Sequence, residues 1–140
     1  MTNATVIIFL VAVLIIGLTI LAIVLLTRRG GKVLDTTKYQ QRWLAIESSL
    51  KSDNPSSFQV SILQADKLLD MALKDRGFKG QTMGERMKSA QNEWKNANHI
   101  WGAHKIRNRI AHEPDVKVTY EIASRTLVAF KQGLRDLGAF

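Results

Sequence analysis

One stretch of this chain limits its fold more than any other, because residues 4–27 contain no charged side chain. As a helix with a rise of about 1.5 Å per residue, this stretch would span about 36 Å, more than the roughly 30 Å hydrocarbon core of a bilayer. A cleaved signal peptide would begin with basic residues and end at a small-residue cleavage site. This chain begins without Lys or Arg, and its apolar run ends at Arg28. We therefore expect residues 1–29 to be a retained transmembrane anchor and residues 30–140 to be a separate domain.

The basic residues that flank the apolar stretch predict its orientation. Arg28, Arg29 and Lys32 follow it, and no Lys or Arg precedes it. Such residues are enriched on the cytoplasmic side of membrane proteins. We expect a single-pass protein of the bacterial inner (cytoplasmic) membrane that contacts the lipid bilayer through residues 4–27, with its N-terminus outside and its C-terminal domain in the cytoplasm.

The rest of the composition excludes several kinds of site. The chain has no cysteine and only three histidines, which rules out disulfides, a thiolate nucleophile and cysteine-based zinc or iron–sulfur centres. We expect no cofactor and no metal. With 20 Lys and Arg against 12 Asp and Glu, the chain is basic, and its charge would attract anionic lipid or nucleic acid without favouring either.

Apolar residues recur at steps of three and four through almost all of residues 30–140, which is the pattern of amphipathic helices. We expect an all-α domain, a bundle of four to five helices. No segment alternates apolar and polar residues for long enough to predict a strand. The four main stripes are Tyr39, Trp43, Ile46 and Leu50; Phe58, Ile62, Ala65, Leu69 and Ala72; Trp94, Ala97, Ile100, Trp101, His104 and Ala111; and Ala123, Leu127, Phe130, Leu134 and Leu137.

Capping residues predict where these helices begin and end. Ser56 and Thr82 each open a Ser/Thr-x-x-Gln/Glu capping box. Gly77 is suited to a helix C-cap. Pro114 disfavours helical geometry in the residue before it, so the helix that we expect to begin at Glu93 should end at His112 or Glu113.

The residues best suited to chemistry lie between His104 and His112. At about 100° per residue, His104, Arg107, Asn108 and His112 share one helical arc of about 140°. A guanidinium stays charged and can position a phosphate, while an imidazole can transfer protons near neutral pH. These groups are sufficient for metal-free transfer at a phosphodiester. Lys105 is a nearby cation that could contact an RNA backbone.

Residues 107–112, Arg-Asn-Arg-Ile-Ala-His, resemble the Arg-x4-6-His motif, with a polar residue after the Arg, of the HEPN superfamily of small helical bundles. The chain is also similar to uncharacterised membrane-anchored bacterial proteins in which the stretch from Ala65 to His112 recurs. The resemblance implies a homodimer that binds and cleaves RNA without a metal ion, at a site formed where two protomers meet. It further implies that Arg107 and Asn108 position the phosphate, and that His112 is the acid/base residue.

A second cation near the motif, Arg109, would add to an RNA-binding surface with Lys105. We expect three further features of the bundle. His104 should be a hydrogen-bonded core histidine, and His99 should face solvent. The three tryptophans should be core residues rather than base-stacking platforms, because a stacking surface must be exposed.

The motif also has a structural interpretation. Arg107 and Asn108 could bond to the carbonyls at the end of their own helix, or to Asp66 and Asp70 of a neighbouring helix. His112 could cap its helix with no further role. Many HEPN domains bind partners without cleaving RNA. The chain would then be a non-catalytic, membrane-anchored interaction or dimerisation module with an unknown protein partner. Peripheral lipid binding is a third, accessory property.

Overall fold

The computed structural model describes residues 3–27 and 31–140, and these residues form six helices with no strand. The all-α prediction is confirmed. The chain divides into two compact units, Met1–Gly30 and Gly31–Phe140. The helices are α1 (Asn3–Thr27), α2 (Thr36–Ser49), α3 (Ser56–Asp75), α4 (Met83–Ser89), α5 (Ala97–His112) and α6 (Tyr120–Asp136).

The first unit contains α1, the apolar helix that the sequence predicts. Its stretch Asn3–Val24 is long and apolar enough to cross a membrane, and none of it is buried against protein. A helix that is apolar on every side suits a lipid environment. Arg28 and Arg29, on which the predicted orientation depends, lie outside the described residues.

In the second unit, α2 and α3 form an antiparallel hairpin. Tyr39, near the start of α2, donates a 2.7 Å hydrogen bond to Asp75 at the end of α3. At the other end of the pair, the hydroxyls of Ser49 and Ser61 lie 3.0 Å apart. The short connection between the two helices favours this arrangement.

Helix α5 also runs antiparallel to α3. His104 contacts Asp66 midway along α3, and Val116, just after α5, accepts a hydrogen bond from Gln59 near the start of α3. The C-terminal end of α5, including His112, therefore lies beside the N-terminal end of α3.

The chain joins this bundle at the opposite end of α3. Gly31 lies so close to Arg76 that a Cβ on Gly31 would be 2.9 Å from the Arg76 carbonyl oxygen. From Arg76 back to Gln59, α3 covers about 25 Å at 1.5 Å per residue. The first residue of the bundle is thus well separated from the end that contains His112.

The apolar stripes of α2, α3 and α6 form most of the core, as their spacing predicts. Gly133 of α6 lies against Leu69 and Ile100, and its missing side chain lets the helices approach closely. The stripe residues of these three helices that are buried are Tyr39, Trp43, Ile46, Phe58, Ile62, Ala65, Leu69, Ala72, Ala123, Leu127, Phe130, Leu134 and Leu137. Leu50 is partly buried.

Several predicted helix ends are confirmed. Thr82 and Glu85 form the capping box at the start of α4. Gly77 has a φ of 88°, in the left-handed region, just after the end of α3. Helix α5 ends at His112, before Pro114.

Two predicted helix starts are wrong. Ser56 does not cap α3, because it is already the first helical residue and its backbone N–H is bonded to the side chain of Asn54. The predicted helix at Glu93 begins instead at Ala97, because Asn96 caps it.

Candidate functional site

Asp66 of α3 connects two of the residues that the sequence singles out on α5. Its carboxylate oxygens lie 2.8 Å from Nδ1 of His104 and 3.0 Å from Nε of Arg107. The Asp66 side chain is only 5% exposed, so its charge needs these partners. His104 is buried, which confirms the prediction of a hydrogen-bonded core histidine.

Arg107 is oriented by contacts on both sides. Its Nε–H is not directed at the nearby Asp66 oxygen, so that contact is an ion pair without a linear hydrogen bond. A terminal nitrogen of the same guanidinium donates a 3.0 Å hydrogen bond to Oδ1 of Asn108. The Arg107 side chain remains 35% exposed. The two residues predicted to position a phosphate are therefore bonded to each other and accessible.

One helical turn further along α3, Asp70 binds a cation that the sequence analysis missed. Arg86 of α4 lies 2.6 Å from Asp70 and also donates to the carbonyl oxygen of Gly80. Lys74 contacts the other Asp70 oxygen at 2.8 Å. The alternative in which Asp70 binds the motif residues is thus not observed, because Arg86 and Lys74 occupy it.

These two carboxylates lie at the base of a groove between α3, α4 and α5, with a volume of about 760 Å³. Both polar and apolar surface line the groove, and its residues include three cationic ones, Lys67, Arg86 and Arg107. Asp66 and Asp70 offset two of these three charges, Arg107 and Arg86, so Lys67 leaves the groove lining with a net positive charge. Such a groove suits an anionic ligand.

His112 lies outside this groove, in the last turn of α5, and its side chain is exposed. It comes five positions after Arg107, which places it about 7.5 Å further along the helix and about 140° around it. Lys105 and Arg109 are exposed as well, and Arg109 pairs with Glu113 at 3.2 Å. The motif thus has an oriented part, Arg107 and Asn108, and a solvent-facing part.

The tryptophan prediction is correct for two of the three residues. Trp43 and Trp94 are 2% and 8% exposed, whereas Trp101 is 38% exposed and lines the groove. Helix α5 packs through Ile100 and His104, and Trp101 falls about 60° from His104 around the helix, at the edge of the buried face. A helical projection of α5 with its buried face centred on Ile100 and His104 would have predicted that Trp101 is partly exposed.

Two further observations concern ligands and relatives. Among residues 3–27 and 31–140, no group of three or more His, Asp or Glu side chains is arranged to bind a metal ion. No protein-family model, curated protein or solved structure matches the chain. The resemblance to the HEPN superfamily therefore remains a prediction from the motif.

Proposed function

We propose that this chain is a membrane-tethered, HEPN-like endoribonuclease that acts as a dimer and needs no metal ion. The observation that carries the proposal is the exposure of His112 on the same helix as the bonded and accessible pair Arg107 and Asn108. The motif also lies at the end of the bundle opposite to Gly31.

The chemistry is transesterification at an RNA phosphodiester. The ribose 2′-oxygen forms a bond to phosphorus, the bond from phosphorus to the 5′-oxygen breaks, and a 2′,3′-cyclic phosphate remains. A base removes the proton of the 2′-hydroxyl, and an acid gives a proton to the departing 5′-oxygen. The Arg107 guanidinium would stabilise the negative charge that develops on the phosphate.

A dimer supplies the two proton-transfer groups that this reaction needs. Each protomer has His112 as its exposed imidazole near the motif, and it points about 140° away from Arg107 around α5. If two α5 helices meet, the imidazole of one protomer can approach the phosphate that Arg107 of the other positions. One His112 then acts as base and the other as acid.

The membrane topology is part of this proposal. An excess of basic residues after α1, at Arg28, Arg29 and Lys32, favours a cytoplasmic location for the bundle in a bacterial inner membrane. Cytoplasmic RNA would then be cleaved at the inner face of that membrane.

The contact between Arg107 and Asp66 favours one alternative function. An arginine that neutralises a buried carboxylate has a structural role whether or not RNA binds. With His112 exposed but uninvolved, the bundle would be a non-catalytic interaction or dimerisation module fixed to the membrane.

RNA cleavage by the full-length chain in detergent, with EDTA present, tests the proposal. We expect a labelled single-stranded RNA to be cut to products that end in a cyclic phosphate. His112→Ala should lower the rate by about 10²- to 10⁴-fold, the usual contribution of a general acid or base. His99→Ala is the matched control, because His99 is also an exposed histidine of α5 but lies in its first turn. It should cleave like the original chain.

Two results would contradict the nuclease. One is equal cleavage by the original chain and His112→Ala, which would indicate a contaminating enzyme. The other is a folded, dimeric chain that leaves every RNA intact, which would support the interaction module.

A further inference from the structure

Trp101 belongs to a stripe of chemically useful side chains along the outside of α5. Trp101, Lys105, Asn108 and His112 fall within an arc of about 60°, at 100° per residue. All four are exposed or half-buried. A ligand that lies along this face of α5 would meet an aromatic ring, a cation, an amide and an imidazole in that order.

The Trp101 ring is accessible and is also supported from within the protein. It contacts the buried His104 edge to face, with ring centroids 6.2 Å apart. It also lies next to α4, since a Cβ on Gly84 would be 3.9 Å from the ring. A ring that is packed on neighbours while part of it faces solvent loses little conformational entropy when a ligand stacks on it.

Positive charge surrounds this ring. Lys67 and Arg107 line the same groove as Trp101, and Lys105 lies one turn further along α5. The acidic residues of the groove, Asp66 and Asp70, are already bonded to His104, Arg107, Arg86 and Lys74. Lys67 and Lys105 are the cations near the ring that these acidic residues do not neutralise, and an aromatic platform beside such cations is the combination by which proteins bind single-stranded nucleic acid.

We propose that Trp101 stacks on a base of single-stranded RNA whose backbone continues along α5 toward His112. This inference rests on the proposed function, because it takes RNA as the ligand. Trp101 and His112 are about 16 Å apart along the helix axis, a length that several nucleotides of a single strand would cover. The stacked base therefore lies several nucleotides from the cleaved bond, and Trp101 positions the substrate without touching the reacting atoms.

Binding of a non-cleavable RNA tests the stacking separately from cleavage. The probe is a twelve-nucleotide 2′-O-methyl oligouridine, which lacks the attacking hydroxyl, added to the full-length chain in detergent. We expect binding to change the fluorescence of Trp101, the only one of the three tryptophans that is not buried. Trp101→Leu lacks this signal, so the affinities of all variants are compared by the fluorescence anisotropy of an end-labelled probe. Trp101→Leu should weaken binding about ten-fold, the typical effect of losing one stacked base. Trp101→Phe, which keeps a ring, should recover most of this loss.

Three further measurements separate stacking from a general loss of structure. Val128→Ala removes an exposed apolar side chain from α6, outside the groove, and should bind RNA like the original chain. With a cleavable RNA of the same length, Trp101→Leu should raise KM and leave kcat nearly unchanged, because the contact is remote from the reacting phosphate. With a dinucleotide substrate, which cannot reach from His112 to Trp101, the substitution should have no effect.

The failure of this inference differs from the failure of the proposed function. If the original chain binds RNA and Trp101→Leu binds it equally well, the stacking is wrong and the nuclease proposal stands. If Trp101→Leu converts a dimer to a monomer in sedimentation, Trp101 is a contact between protomers and the stacking is again wrong. If the original chain neither binds nor cleaves any RNA, both proposals fail.

Discussion

Helix α3 contacts α6 in one way and its other three neighbours in another. Toward α6 its contacts are apolar, as where Leu69 packs on Gly133, and within the described residues no hydrogen bond or ion pair joins the two helices. Toward the others it presents its three carboxylates, one to each helix. Asp75 bonds Tyr39 of α2, Asp70 bonds Arg86 of α4, and Asp66 bonds His104 and Arg107 of α5.

The difference separates the source of stability from the source of orientation. Burial of apolar surface is the main favourable term in folding and has no preferred direction, so the α3–α6 contact should supply most of the stability. Buried ion pairs contribute little net stability but are costly when one partner is removed. The Asp66 contact fixes Arg107, and through it Asn108, so the same carboxylate that docks α5 also orients the candidate site.

The largest effect on stability should come from the apolar side of α3. Leu69→Ala removes a fully buried side chain, and we expect the free energy of unfolding to fall by about 3–5 kcal/mol. Denaturant titration of the full chain in detergent, followed by tryptophan fluorescence, measures it. Leu44→Ala, at an exposed position of α2, is the control and should change stability by less than about 0.5 kcal/mol. If Leu69→Ala lowers the free energy of unfolding no more than the carboxylate substitutions do, the apolar contact is not the main source of stability.

Asp70→Asn should have the next largest effect. The Arg86 side chain is only 8% exposed, and without the Asp70 charge it would be a buried cation held by neutral oxygens only. We expect a loss of about 3 kcal/mol, near the lower end for breaking a buried ion pair, in the same titration. Replacing Arg86 by Met in the Asp70→Asn background removes the stranded charge and should restore part of the loss. If the double substitution does not restore stability, the unpaired Arg86 charge is not the reason that Asp70→Asn is destabilising.

Asp66→Asn should cost less stability and more activity. The amide still accepts a hydrogen bond from His104, and the partly exposed Arg107 can turn toward solvent, so we expect a loss of about 1–2 kcal/mol. Because Arg107 is then no longer oriented, RNA cleavage should fall about ten-fold or more. Cleavage and urea titration on one preparation separate the two effects. Unchanged cleavage would show that Asp66 only docks α5.

These contacts show where the sequence was informative. The stripes of α2, α3 and α6 follow from a spacing of three and four residues, and each long stripe points to one buried face. The His104 prediction is correct for the same reason, since His104 lies beside Ile100 on the buried arc of α5. Periodicity identifies the faces that are buried, and the all-α class follows from them.

The pairing of charges was harder to predict. Arg86 contacts Asp70 because the loop at residues 76–82 returns α4 along α3, and a sequence pattern does not give the path of that loop. Whether Asp66 or Asp70 meets Arg107 depends on the axial register between α3 and α5, where a shift of one turn, about 5.4 Å, exchanges the two. The exposure of Trp101 depends on how α5 is rotated about its own axis. Apolar and polar residues are mixed on the inner side of α5, so the sequence does not define this rotation well.

The smallest expected effect concerns the third carboxylate, Asp75, and it tests the comparison through pH. The hydrogen bond from Tyr39 lowers the pKa of Asp75, against the opposing effect of burial, with Lys38 adding to the lowering. Burial raises the pKa of Tyr39, and the bond to Asp75 raises it further. Asp75 thus contributes stability above its ordinary pKa of about 3.9, which is lost as the pH falls through the lower folded-state pKa. Tyr39 contributes stability below its ordinary pKa of about 10, which is lost as the pH rises beyond it.

Tyr39→Phe removes the tyrosine contribution and the part of the Asp75 contribution that comes from this bond, while Lys38 stays beside Asp75 and the buried ring stays in place. We expect a loss of about 1 kcal/mol near pH 7, the usual net value of one hydrogen bond, because the Asp75 side chain is 42% exposed and water can replace the donor. The denaturation midpoint of the variant should also depend less on pH than that of the original chain, below about pH 4 and above about pH 10. Titrations at pH 3, 7 and 10.5 measure this dependence. If the pH dependence is the same in both chains, the bond between Tyr39 and Asp75 does not stabilise the contact of α2 with α3. The carboxylates of α3 would then hold only α4 and α5.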